Sequence, residues 1–482
     1  MQPKRRLDEG LPAAGWRAEA ATQDVTEAAS GAVLGRIGTA TVAAAQAACA
    51  AAKVAQPGWF ALPYDQRAAV MRNAADSLEV RADEVAGWIV RETGSVGAKA
   101  GFEIMLTVKA LREAAAMPSQ SQGLVLPTDP GKLSFCRRMP LGVVGVISPF
   151  NFPLYLAMRA VAPALAIGNA VVLKPDPRTA YSGGVLIGEI LQQAGLPADV
   201  LHVVPGGGEV GAQLCVDPAV AMIQFTGSTA TGRAIGELAG RHLKKVSLEL
   251  GGNNSLIILD DADLDLAASA AAWSAYLHQG QICMTGGRIL VHERIYDEMA
   301  QRLVEKAKNL PAGDPASGQV ALGPLIDQGQ LKHAQDIVEA SLAGGAHLAH
   351  GGAYDGLAYQ ATVLTEVTPG MRAFDEEIFG PVASLTRFKT DDEAVVLANS
   401  SDYGLSAGII SRSVGRAMAL GAQLNVGLLH INDQTVGDEV VNPFGGRGQS
   451  GNGTSIGGPA NWDEFSQWQW VTIRDAPPAY PF

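Results

Sequence analysis

Cysteine is scarce in this chain: Cys49, Cys136, Cys215 and Cys283 lie far apart, and no CxxC pair is present. A disulfide framework and a thiolate zinc site are therefore not expected. Long apolar runs are missing too. The longest, such as 161–173, are broken by Pro and Gly and fall short of the ~20 residues that span a bilayer, so no membrane attachment is expected. No apolar stretch follows the basic Lys4, Arg5 and Arg6, which argues against a secretory signal and for a cytoplasmic location. Positive charge is in deficit, with 36 Lys and Arg against 48 Asp and Glu and a formal net charge of −12. Such a surface repels phosphate backbones, and no Lys/Arg cluster with interleaved aromatics offsets it, so nucleic acid is not expected as a partner. His347 and His350 form an HxxH among Gly and Ala without a carboxylate partner. It reads as a polar surface turn, and no metal site is predicted.

What is present is a large, Ala- and Gly-rich chain of 482 residues, 47% hydrophobic and 17% charged, enough for two or three folding units with sizeable cores. Segment 42–117 is helical in pattern, with apolar residues at three- and four-residue spacing in 66–80. Segment 123–140, with Pro, Gly and the alternating stretch from Lys132 to Arg137, reads as a hairpin arm. From 141 to 250, short apolar runs at 143–147, 170–173, 201–204, 221–225 and 246–250 alternate with helical stretches. That is the pattern of a parallel α/β sheet, whose ligand crevices form at the carboxyl ends of the strands. A second α/β set begins after Gly251, with strands expected at 255–259, 288–291 and 407–410. In the tail, 465–473, Trp468 and Trp470 alternate with Gln, and this strand is expected to pair with the hairpin arm between subunits.

Three residues stand out for chemistry. Cys283, in Gly280-Gln281-Ile282-Cys283, follows a helical run and precedes the Gly286-Gly287 turn; it is either a reactive thiol or a small buried hydrophobe. Glu249 ends a strand before Gly251 and Gly252, where the backbone can turn towards a ligand, or it is a salt-bridged carboxylate. Asn151, in Ser148-Pro149-Phe150-Asn151-Phe152-Pro153, projects its amide from a rigid loop or simply forms a turn. For a dinucleotide, Phe225 ends a strand and Gly227-Ser228-Thr229 opens a helix, so free N–H groups and the helix dipole face a pyrophosphate unless Ser228 is an ordinary cap. The stretch from Gly206 to Gly211 also fits GxGxxG, a weak signal alone.

Together the Asn-Phe-Pro loop at Asn151, the Glu-Leu-Gly-Gly segment at Glu249 and the Gly-Gln-x-Cys segment at Cys283 resemble the aldehyde dehydrogenase superfamily. Lys174-Pro175, Phe225-Thr226-Gly227-Ser228-Thr229, Glu377-Ile378-Phe379-Gly380-Pro381 and Pro443-Phe444-Gly445-Gly446 continue the resemblance in family order over nearly the whole chain. The segments at 248–254, 278–281 and 430–433 and the ending Tyr480-Pro481-Phe482 look most like benzaldehyde dehydrogenases. The resemblance implies an α/β fold with a Rossmann-type cofactor domain at 1–122 and 141–250 and an α/β catalytic domain at 251–450. It adds an oligomerisation arm and tail at 123–140 and 451–482, in a homodimer or homotetramer.

The implied activity is NAD(P)-dependent oxidation of a small-molecule aldehyde, benzaldehyde-type, to its carboxylic acid. Cys283 supplies the nucleophile, the Asn151 amide and the Cys283 N–H stabilise the alkoxide, and Glu249 activates the water that hydrolyses the thioester. Relatives that release the thioester to coenzyme A generally lack that carboxylate, so hydrolysis is favoured. By the same resemblance Lys174 reaches the adenosine ribose, Glu377 holds the nicotinamide ribose and Phe379 lies against the ring. Ile147, Pro149, Phe150, Gly207, Phe225, Gly227, Ser228 and Leu250 complete the cofactor site. Phe152, Tyr155, Leu156, Arg159, Ile282 and Phe444 line the aldehyde channel, with Arg159 either attracting an anionic ring substituent or ion-paired within the protein. One departure concerns the cofactor: NAD-preferring relatives commonly carry Glu three residues after the lysine, whereas here Pro177 stands there, followed by Arg178. NAD is expected first, with NADP use possible through Arg178. The alternatives are an aliphatic aldehyde or semialdehyde dehydrogenase, a silent structural relative, or a non-redox thioesterase.

Overall fold

A computed structural model describes residues 22–482, so the basic segment at Lys4 to Arg6 lies outside the described residues. The described chain opens with a hairpin of β1 (Thr22–Thr26) and β2 (Val33–Gly38). The Thr41 hydroxyl then accepts the Ala44 N–H at 3.1 Å, capping α1 (Val42–Ala61), whose alanines lose little side-chain entropy in a helix. With α2 (Tyr64–Val80), α3 (Ala82–Thr93) and α4 (Gly97–Ala116) it forms the expected helical layer.

The arm is β3 (Gly123–Val125) and β4 (Leu133–Pro140), antiparallel as expected. After it come β5 (Val143–Ile147), β6 (Ala170–Lys174), β7 (Leu201–Val203), β8 (Val220–Thr226) and β9 (Lys245–Glu249), all parallel, in the spatial order β7-β6-β5-β8-β9. Every residue of β5 and β6 is buried, which is why these strands read as continuous apolar runs: helices cover both faces. The chain leaves β5 towards one edge and returns to place β8 on the other side. The crevice between the carboxyl ends of β5 and β8 is thus the switch point at which such sheets bind ligands.

The second sheet has seven strands, in spatial order His347–His350, Thr362–Thr365, Val382–Phe388, Arg288–His292, Ser255–Ile258, Ser406–Ile410 and Leu428–Ile431. Three were expected. The other four carry Ser, Thr, His or Arg among their apolar residues, and this blurs the pattern of a buried strand. His347 and His350 accordingly lie on an exposed edge strand rather than in a turn.

The tail requires a second correction. Ser466–Ile473 pairs antiparallel with β4 of its own chain along its full length, from Ser466 opposite Pro140 to Ile473 opposite Leu133. The short helix Ala460–Phe465 buries Trp462 and Phe465 and brings the tail to β4, where Arg138 donates to the Trp462 carbonyl at 2.8 Å and to Asp463 at 2.5 Å. The tail therefore pairs with the arm within one chain rather than across subunits. No helix among the described residues is long and apolar enough to cross a membrane.

Candidate active site

The loop after β5 carries Asn151 into α5 (Pro153–Ile167), which starts with Pro at its first position and has no side-chain cap of its own. The cap comes from α4. Glu103 Oε1 accepts the Leu154 and Tyr155 N–H groups at 2.9 and 3.2 Å, satisfying donors that a helix start leaves free. Lys99, one turn earlier, donates to Glu103 Oε2 at 2.5 Å and to the Asn151 carbonyl at 2.6 Å, and its ammonium lies 4.1 Å from the Phe152 ring centroid. Both side chains are completely buried. Burial pulls the Lys99 ammonium below its ordinary range, and Glu103 opposes that shift. Neither residue was anticipated, because an i,i+4 Lys/Glu pair usually lies on a solvated helix face. The Asn151 amide is fixed in turn: Nδ2 donates to the Gln281 carbonyl at 2.9 Å and Oδ1 accepts the Phe152 N–H at 3.1 Å. One Nδ2 hydrogen remains available.

Cys283 follows an unusual segment. His278, Gln279 and Gly280 all have positive φ, 50°, 53° and 68°, and a left-handed non-glycine residue costs roughly 1–2 kcal/mol. Surrounding bonds offset that cost: Gln279 Nε2 donates to the Gly94 and Pro324 carbonyls at 3.2 and 3.0 Å, and Gln281 Oε1 accepts the Ile326 N–H at 3.0 Å. At Gly280 a Cβ would sit 2.1 Å from the Gly380 carbonyl oxygen, so only glycine fits. Downstream, Asn254 Nδ2 holds the Cys283 carbonyl at 2.8 Å. The thiol is only half-buried, but desolvation first, and then Glu377, Glu249 and Asp438, raise it far above the ordinary cysteine range. A proton acceptor is needed before this sulfur attacks anything.

Glu249, the last residue of β9, lines the same cavity as Cys283. Both of its carboxylate oxygens are buried without a hydrogen-bond partner. Burial raises its pKa well above the carboxylate range, Arg159 opposes the shift and Asp438 adds to it. The salt-bridge alternative for Glu249 is thereby set aside: Arg159 acts on it at a distance, and Arg159's own ion pair is with Asp438.

Two cavities meet at Asn151, Leu156, Thr226 and Cys283. The larger, about 660 Å³, occupies the β5/β8 switch point. Ile147, Pro149 and Phe150 wall it from the β5 side, Phe225, Gly227 and Ser228 from the β8 side, and Lys174, Leu250, Glu377 and Phe379 complete it. Gly207 does not line it. Its N–H is taken by the Glu209 carboxylate at 3.2 Å, and Gly208 and Gly211 of the same loop face the cleft instead.

The cleft has the donor set of a dinucleotide site. The start of α8 (Thr229–Arg241) faces it, with Ser228 as its cap. Glu377 Oε1 accepts the Gly252 N–H at 2.9 Å, while its other oxygen lies 2.2 Å from where a Cβ on Gly251 would be, so the glycine makes room for the carboxylate. Burial lifts Glu377 to about 7. Gln330 and His333, both unanticipated, hold the segment that carries it: Gln330 Nε2 donates to the Ile378 and Phe379 carbonyls at 3.1 and 3.0 Å, and a His333 ring nitrogen lies 3.0 Å from the Glu377 carbonyl. Arg178 is not free to attract an anion. It donates to Asp176 at 2.8 Å and Asp327 at 2.7 Å, and its guanidinium carbon lies 4.2 Å from the Phe150 ring centroid.

The narrower cavity is walled by Phe152, Tyr155, Leu156, Arg159, Ile282 and Phe444, all six residues expected along the channel. Met284, beside Ile282, also lines it, and Phe102 and Leu106 of α4, Val436 with Asp438, and Ile456 join from three further segments. Tyr155 and Arg159, one turn apart on α5, both donate to Asp438 Oδ2, the tyrosine at 2.9 Å. Arg159 is therefore the ion-paired member of its two alternatives.

A family model described as the aldehyde dehydrogenase family matches residues 16–471. A vanillin dehydrogenase from Amycolatopsis sp. is 52% identical over 97% of this chain and 96% of that protein. A benzaldehyde dehydrogenase (NAD+) from Pseudomonas putida is 49% identical over 95% and 94%. Among solved structures, a salicylaldehyde dehydrogenase from Pseudomonas putida G7 complexed with salicylaldehyde superposes with a TM-score of 0.93 at 36% identity, covering 97% of this chain and 98% of that one. Motifs, sheet order and the cavity junction at a cysteine agree with this match, and the chain belongs to the aldehyde dehydrogenase family.

Proposed function

We propose that the protein oxidises a benzaldehyde-type aromatic aldehyde to its carboxylic acid, with Cys283 as nucleophile, Asn151 and the Cys283 N–H as oxyanion donors and Glu249 as base. The observation that carries this reading is the meeting of an apolar slot and a dinucleotide-sized cleft at Cys283, beside the unpartnered buried Glu249. Cys283 reacts as its thiolate after its proton has left for solvent, the sulfur adds to the aldehyde carbon, and the carbonyl electrons move onto oxygen, where the two donors receive them. A nicotinamide dinucleotide bound in the cleft supplies the acceptor for the hydride that the carbon loses. In the thioester that remains, a water gives its proton to Glu249 and adds to the carbonyl, the C–S bond breaks and the acid leaves. Aromatic side chains at Phe152, Tyr155 and Phe444 favour a planar ring by ~0.5–1.5 kcal/mol beyond area burial.

NAD is the proposed cofactor. Lys174, which carries the resemblance to an adenosine-ribose ligand, is buried and feels the carboxylates of Asp176 and Glu209, and Arg178 is already paired. A 2′-phosphate entering there finds Asp176 and Glu209 beside Lys174 and no unpaired guanidinium, which favours NAD. The relative named for NAD+ agrees with this choice. The cofactor domain at 1–122 and 141–250, the catalytic domain at 251–450 and the arm and tail at 123–140 and 451–482 are proposed as the functional division. A homodimer or homotetramer is proposed through the arm sheet, whose Trp468 and Trp470 are 51% and 67% exposed. Light scattering that returns a monomer mass contradicts the assembly, and NADPH formation outpacing NADH formation contradicts the cofactor. The activity itself is tested by comparing kcat/KM for benzaldehyde and hexanal: hexanal as the better substrate removes the aromatic assignment.

A further inference from the structure

The substrate slot is apolar along most of its wall, yet it contains an ion pair, Arg159 with Asp438, whose side chains are 4% and 9% exposed. The bonding around Asp438 is lopsided. Tyr155 and Arg159 both donate to Oδ2, while Oδ1 receives no donor from any described residue. Arg159 spends its other terminal nitrogen on the Ile456 carbonyl at 3.1 Å and lies with its guanidinium carbon 4.7 Å from the Phe444 ring centroid. What the slot leaves for a substituent is therefore a charged acceptor and no free cation. Oδ1 is thus an acceptor on the slot wall that the protein leaves for an incoming donor.

We propose that Asp438 determines ring specificity: its Oδ1 accepts a hydrogen bond from a neutral hydroxyl group on the aldehyde's aromatic ring, and the Arg159–Asp438 pair excludes anionic substituents. The inference rests on the aromatic-aldehyde reading and goes beyond it by naming the substituent. A methoxy group has no hydrogen to donate and leaves Oδ1 unsatisfied. A ring carboxylate finds Arg159 already neutralised and meets Asp438 with Glu249 close enough to influence the same arginine. The hydroxyl alone matches what the slot lacks.

The test measures kcat/KM for benzaldehyde, 3- and 4-hydroxybenzaldehyde, the two methoxy counterparts and 4-carboxybenzaldehyde, at a pH where the phenols are neutral. In the wild type at least one hydroxy isomer is expected to exceed its methoxy counterpart by about tenfold or more, the discrimination of a charge-assisted hydrogen bond. The 4-carboxy compound is expected to be the poorest. Asp438→Asn removes the hydroxyl advantage and, by releasing Arg159, improves 4-carboxybenzaldehyde relative to benzaldehyde; an equal loss on every substrate overturns the assignment. The wild-type comparison stands even where that variant does not fold. If benzaldehyde is oxidised and neither hydroxy isomer outruns its methoxy counterpart, Asp438 is not the determinant and the proposed function survives. If no benzaldehyde is oxidised, both fall.

Discussion

The Lys99 ammonium, fully buried in α4, donates to the backbone carbonyl of Asn151 at 2.6 Å. Through that bond, and through Glu103 of α4, which accepts the N–H groups of Leu154 and Tyr155, a charged pair outside the cleft fixes the loop that presents the Asn151 amide. An oxyanion donor is effective only when held in place before the charge develops.

Lys99→Met is expected to lower kcat by about tenfold or more, since a small misplacement of a reacting group costs up to about a hundredfold. The dissociation constant for NAD should not change. In an Asn151→Ala background the same substitution should cost nothing further in kcat, because both act on one donor. Multiplicative losses in the double variant contradict the positioning role. Separately, stranding Glu103 should destabilise the fold by roughly 3–5 kcal/mol in denaturant titration.

Glu249→Gln should block deacylation more than acylation, giving a burst of NADH near one equivalent per active site before a slow steady state. Burial raises the wild-type carboxyl well above its usual range, so activity should climb with pH through that raised range as the base ionises. The variant should lose this limb. A normal steady state removes Glu249 from the mechanism, and absence of both burst and turnover assigns it to thiol activation instead.

Glu377 should make cofactor binding pH-dependent. Its carboxyl sits at about 7 because it is buried, opposed by the Gly252 N–H, and only the ionised form accepts two ribose hydroxyl hydrogens. NAD affinity, read by fluorescence titration without substrate, should weaken as pH falls through about 7. Glu377→Gln should bind about tenfold or more weakly at high pH, the loss of a charged hydrogen bond, with a flat profile. A wild-type affinity independent of pH contradicts the assignment.

The parts of the fold that sequence reveals are those where one physical signal dominates. β5 and β6 are buried on both faces and read as unbroken apolar runs. Val382–Phe388 and Leu428–Ile431 mix polar and apolar residues and do not. The tail's strand character and its pairing with the arm were legible, but that both belong to one chain was not: it depends on how the helix Ala460–Phe465 packs. At the site, Cys283, Glu249 and Asn151 sit in short motifs and were readable. Lys99, Glu103 and Asp438 were not, because each acquires its meaning from a residue 50 or more positions away. Arg178 pairs both with Asp176, two residues before it, and with Asp327, 149 residues downstream, and the second partner is invisible in sequence.

The central claim is that Cys283 forms the covalent bond to the aldehyde. The most direct measurement mixes benzaldehyde and NAD with the wild type and with Cys283→Ala and follows NADH from the first turnover, with NAD binding measured in parallel. The account predicts steady NADH formation by the wild type, and neither burst nor turnover by a Cys283→Ala protein that still binds NAD. Near-normal NADH formation by that variant contradicts it.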